Sequence, residues 1–211
     1  MTNVAGKAYA MNVLTPSNRK FTWINRLLFM IARGLPDRLQ GLLGLSLIHF
    51  ARWVIIKPNQ WPDLGQGKQN LSHDYMLFCS NFNGTWDQYI DAFSDGIPNG
   101  LNLFWFSATK YPLSVPITPF KTYITHNQVT TDYYYNATPG AAQRDIKTSV
   151  KIYAALLKLE SAHKTQTPEE FAKTYTAALG DVQMGLGDAG FGPVASLSTE
   201  RADINRIAYF K

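Results

Sequence analysis

Four runs rich in β-branched and aromatic residues, SLIHFARWVII (46–56), YMLFCSNF (75–82), LNLFWFSA (101–108) and VTTDYYYNA (129–137), constrain this chain most. They are cut short in turn by Lys57-Pro58, by Asn83-Gly84, by a loop bearing Pro112 and by Thr138-Pro139. Proline cannot donate to a sheet ladder, and Asn-Gly favours a turn, so each run reads as a strand. Between the runs the apolar spacing changes from two to three and four, the period of a helix covering a core. Strands alternating with amphipathic helices argue for helices laid over one face of a sheet. A residue content that is 13% aromatic is too rich for a solvated, disordered chain. No uncharged apolar run reaches the ~18 residues of a membrane span. With one cysteine, Cys79, a disulfide scaffold is excluded. No secretory signal pattern is visible, so a cytoplasmic location is expected.

Residues 1–18, small and polar with Pro16, read as a poorly ordered arm. Ile24, Leu27, Leu28, Ile31 and Leu35 predict a helix over 21–35, and Pro36 opens a second to about 45. Thr85 and Gln88 form a capping box before a helix with Trp86, Tyr89, Ile90 and Phe93 on its buried side. Thr118-Pro119 begins a short helix that turns Phe120, Tyr123 and Ile124 inward. The longest helix spans about 140–160, and a second capping box, Thr167 with Glu170, opens another to about Leu179. Residues 180–193 are glycine-rich, and INRIAYF (204–210) reads as a last strand. The expected division is an N-terminal arm with a two-helix extension (1–45) and an α+β domain with a C-terminal helix and glycine-rich tail (46–211).

The segments IHFARWVII, LFCSNFNGTWDQYIDAF, LNLFWFSATKYP and FKTYITHNQVTTDYYYNA together resemble the ferredoxin-like superfamily in its dimeric α+β-barrel form. The phrases HFARW and SNFNGTWDQYIDAF are also similar to those of an uncharacterised bacterial family. The resemblance implies an antiparallel sheet of four to five strands, helices on one face and a homodimer. It covers about half the chain, and the superfamily hosts haem enzymes, cofactor-free monooxygenases and isomerases, so fold alone does not choose a function.

The residues themselves offer two readings. On one, His49, Trp53, Asn81, Trp105, Tyr133 and Tyr135 line a small-molecule pocket of aromatic walls and few polar groups. The protein would then be a small-molecule-binding barrel, of the kind that serves as a cofactor-poor oxidoreductase or isomerase on an apolar or aromatic compound. His49 would accept a proton and Asn81 would donate to a developing oxyanion. Arg52 would bind an anionic group or pair with Asp87, Asp91 or Asp132. His126, at a helix end, is the one candidate haem ligand, and no metal-ligand spacing occurs. On the other reading, the same aromatic face is a core or the seam of a non-catalytic dimeric module. The sequence G-x-G-x-x-G at 185–190 is followed by Phe191-Gly192-Pro193, which blocks the helix a dinucleotide site needs.

Charge divides the chain. Residues 1–60 hold eight basic residues and one acid, Asp37, whereas the rest holds 12 basic and 14 acidic residues. Arg19, Lys20, Arg26, Arg33 and Arg38 flank the apolar surface of 21–35, the pattern of a helix lying in a membrane interface. Peripheral membrane contact through 19–45 is the corresponding expectation, set against simple packing of these helices on the domain. Nucleic acid is not an expected partner, because the tyrosine run at 133–135 has only Asp132 beside it.

Overall fold

A computed structural model describes residues 3–34, 47–67 and 69–186. The expected helix at 36–45, the end of the glycine motif beyond Leu186 and the expected strand at 204–210 lie outside them.

The protein is α+β, and among the described residues it has a five-stranded antiparallel sheet and six α-helices. The strands are β1 (Val4–Ala5), β2 (Ala8–Ser17), β3 (Ile48–Ile56), β4 (Asp74–Asn83) and β5 (Gln128–Val129). Their order is β1-β2-β4-β3, and β5 joins β2 at Asn12 and Val13, on the edge that also carries β1. The expected arm at 1–18 is therefore largely a strand at the sheet's centre, paired along its whole length with β4. Its modest residues hide this role. Met11, Val13 and Thr15 are buried because β4 and the helices enclose them.

Alternation decides which side faces the core. Met76, Phe78, Ser80 and Phe82 of β4 point to one side, opposite Thr15, Val13 and Met11 of β2. That side is covered by α1 (Thr22–Gly34), α2 (Trp86–Gly96), α3 (Pro98–Trp105) and α4 (Ile117–Asn127). Tyr89, Ile90 and Phe93 of α2, Leu101 and Trp105 of α3, and Phe120 and Ile124 of α4 complete the core. Each large side chain so enclosed contributes about 1.5–3 kcal/mol.

Two of the expected strands are not strands. Residues 101–108 belong to α3 and the turn after it. Pro98 sits in the first helical turn, where its missing N–H costs nothing, and Leu101 and Trp105 fall one turn apart on the core. Of 129–137 only Val129 lies in the sheet. The segment then crosses the second sheet face, where Asn12 Nδ2 donates to Thr131 Oγ1 at 2.9 Å and Asn81 Nδ2 donates to the Tyr134 hydroxyl.

The last two helices, α5 (Gln143–Thr165) and α6 (Pro168–Val182), form an antiparallel hairpin in which no described residue is fully buried. It is fastened at one end. Lys7 Nζ meets Asp145 at 3.0 Å, Asn83 Oδ1 accepts from Gln143 N at 2.8 Å, and Lys7 N donates to Pro139 O at 2.8 Å. Gly6, at φ +62°, lets Pro139 approach so closely that a Cβ would lie 2.0 Å from its oxygen. Among the described residues no helix is long and apolar enough to cross a membrane.

Candidate functional site

The sequence RKFTWINRLLFMIARG (19–34) contains four basic residues and no acid. Asn18 starts it by accepting from Lys20 N at 3.0 Å, a single 3₁₀ turn follows, and α1 continues from Thr22. The side of α1 that faces the body is unusually polar. Thr22 and Asn25 are buried, one turn apart, followed by Phe29. Thr22 Oγ1 donates to the buried Asp74 carboxylate, which also lies 3.5 Å from Arg19 Nε. Arg19 donates in addition to Leu71 O, and Asn25 Nδ2 donates to Phe104 O at 3.2 Å. Phe29 rests on Phe104 and Trp53, with ring centroids 5.6 and 6.2 Å away.

The outward side is correspondingly apolar. Trp23 is 65% exposed and Met30 64%, with Leu27 and Ile31 beside them. These positions, i, i+4, i+7 and i+8, make one continuous stripe. Arg26 and Arg33, two turns apart, are exposed on its flank. Phe21 extends the stripe by contacting Phe106 at 5.8 Å, and both rings are exposed. A soluble-facing helix would present the opposite arrangement, polar outward and apolar inward.

The side chains singled out as a pocket do not converge. Trp53 and Trp105 pack against each other at 5.8 Å on the helix-covered side of the sheet. Asn81 lies on the second side, because it alternates with Ser80 and Phe82 along β4. Arg52 and Phe50 are also on that side, and Arg52 is exposed with no ion-pair partner among the described residues. Asp87 and Asp91, offered as its partners, instead hold Lys121 at 2.9 and 2.8 Å. Tyr133 and Tyr135 point to solvent, 81% and 71% exposed, and it is Tyr134 that reaches Asn81.

His49 occupies an irregularity in β3, where the register slips between Ile48 and Phe50. Burial pushes its imidazole below the usual value, against a smaller opposing pull from the Asn83 side chain. Neutral near pH 7, it keeps the proton-accepting form, and its Nε2 is buried without a hydrogen-bond partner among the described residues. His126 is exposed at the end of α4, its Nδ1 2.8 Å from Thr122 O. Among the described residues no group of three His, Cys, Asp or Glu side chains is arranged to hold a metal ion.

One feature escaped the sequence reading. Asn25 Oδ1, Trp53 Nε1 and Trp105 Nε1 are buried with no partner among the described residues. They belong to one aromatic cluster beneath α1. The only sequence signal was Asn25 itself, an amide inside a strongly apolar helix. Each such group costs about 1–3 kcal/mol, so the seat of α1 is a poor one. No family model, no curated protein and no solved structure matches the chain.

Proposed function

We propose that the protein is a peripheral membrane-binding module that lays α1 in the interface of an anionic bilayer. One observation carries the reading: α1 turns Thr22 and Asn25 inward and its stripe of Trp23, Leu27, Met30 and Ile31 outward, with Arg26 and Arg33 along its flank. A helix of 13 residues is about 20 Å long, too short for a ~30 Å hydrocarbon core, so it rests in the membrane plane. Tryptophan and methionine enter the headgroup boundary while Arg26 and Arg33 meet lipid phosphates. Each such arginine adds about 1 kcal/mol, which high salt removes.

The test is flotation with vesicles of phosphatidylcholine and phosphatidylserine against phosphatidylcholine alone. Wild type is expected to float with the anionic vesicles at low salt. Arg26→Gln/Arg33→Gln is expected to bind about 30-fold more weakly, from about 2 kcal/mol lost. Trp23→Ser/Met30→Ser is expected to lose binding with an unchanged circular dichroism spectrum. Wild type that stays in the pellet fraction with both vesicle types sinks the reading.

A second reading, binding of a small apolar or aromatic compound, is supported by the unpartnered polar atoms around Trp53 and Trp105. A ligand carrying one acceptor and one donor would satisfy the indole N–H groups and the Asn25 oxygen. An absorbance spectrum of the purified protein checks for a bound chromophore, and quenching of tryptophan fluorescence by added 4-nitrophenol, which carries both a donor and acceptors, checks for a free site.

A further inference from the structure

A groove of about 760 Å³ runs between the face of α4 and the loop that follows α3. Its walls are apolar, formed by Pro16, Pro112, Pro119 and the Tyr123 ring. Lys110 and His126 stand on its lining, and among the described residues no acidic side chain does. The loop is built rather than slack. Asn102 Oδ1 accepts from Tyr111 at 3.0 Å and from Ser114 N at 2.8 Å, Thr109 N donates to Pro16 O at 2.8 Å, and Tyr123 donates to Thr109 O at 3.2 Å. These bonds hold Lys110 at φ +57°, a left-handed conformation that a lysine rarely adopts and a glycine takes freely. Leu113, at φ +72°, is a second such residue in the same loop. Strain of this kind persists where surrounding structure imposes it, and it gathers at ligand sites.

We infer that this groove is a binding site for a small organic carboxylate with an apolar body. The volume lies in the range of small-molecule sites, and the walls suit a ring or short chain. Lys110 supplies the fixed positive charge. His126 donates Nδ1–H to the Thr122 carbonyl, so the neutral ring offers only an Nε2 acceptor, and it is Lys110 that meets the carboxylate. No residue of α1 lines the groove, so the inference stands apart from membrane attachment.

The experiment is an NMR titration of the full, ¹⁵N-labelled chain with 4-phenylbutyrate, its neutral amide and inorganic phosphate. Saturable shifts are expected at Thr109, Lys110, Tyr123 and His126 with the carboxylate, at least tenfold weaker with the amide and with phosphate. Lys110→Met is expected to weaken the carboxylate at least fivefold. Lys110→Gly is expected to do the same while raising the melting temperature, because it relieves the backbone and so cannot fail for want of folding. Equal affinity for acid and amide, equal affinity for phosphate, shifts elsewhere, no shifts, or undiminished binding by both Lys110 variants would each overturn the inference.

Discussion

Tyr89 is stacked on Phe82 at 3.7 Å between ring centroids, tilted against Phe93, and almost wholly buried. Its hydroxyl has one outlet, Ser80 Oγ at 2.6 Å. Tyr89→Phe keeps the stack and removes that bond, so a loss of about 1 kcal/mol is expected, visible as a melting temperature lower by about 2–4 °C. The same burial drives the hydroxyl well above its usual ionisation, as it does for Tyr111, and it moves Tyr123 up to about 12. In the unfolded chain these groups ionise near 10, so their contribution to folding is complete below pH 10 and drains away as pH rises through the folded values. Urea midpoints measured from pH 8 to 11.5 are expected to be flat for these groups and then fall, with a shallower fall in Tyr89→Phe. Equal slopes in the two proteins would contradict the assignment. At this scale the sequence was a mixed guide. Trp86, Tyr89, Ile90 and Phe93 were legible as one stripe because a single helix sets their spacing. Trp53 and Asn81 were not separable, since which face of a strand meets the core is decided by partners elsewhere in the chain.

Local chemistry explains which elements could be read. Thr85 Oγ1 accepts from Gln88 N at 3.3 Å and the Gln88 side chain answers on Thr85 N at 3.1 Å, the reciprocal pair expected at the start of α2. Thr167 and Glu170 do the same for α6. Thr85→Ala is expected to cost about 1 kcal/mol in chemical denaturation, and Thr85→Asp to recover most of it. The strand-like composition of 101–108 misled because Leu103 and Trp105 satisfy a period of two as well as Leu101 and Trp105 satisfy a helical turn. Pro98 and the helix-side contact with Phe104 settle the matter in the fold. The tyrosine-rich 129–137 lacked a neighbouring strand edge beyond Gln128–Val129, and propensity alone does not make a strand. β2 was missed for the converse reason: its small and polar residues become strand by enclosure.

At the scale of the whole molecule, apolar surface among the described residues is left open on several faces. α1 presents its stripe, the second sheet side shows Phe50 and Val54, and the α5–α6 hairpin exposes Val150, Tyr153 and Leu157. A second copy is the expected cover for the sheet side, since two-fold pairing is the commonest way to hide such a patch. Light scattering is expected to return twice 23.7 kDa at micromolar concentration, and the monomer mass would remove this expectation. Hydrogen exchange is expected to be faster through α5 and α6 than through β2 and β4, because the hairpin contributes nothing buried to the core. The central place of β2 has a consequence in time. The ribosome makes β2 before its later partners, the long one arriving only with Asp74–Asn83 and the short β5 only with Gln128–Val129. At about 5–20 residues per second, β2 waits several seconds with one edge bare and the other covered only at its start by β1, so the nascent chain is most open to mispairing, and most in need of a chaperone, before β4 leaves the tunnel.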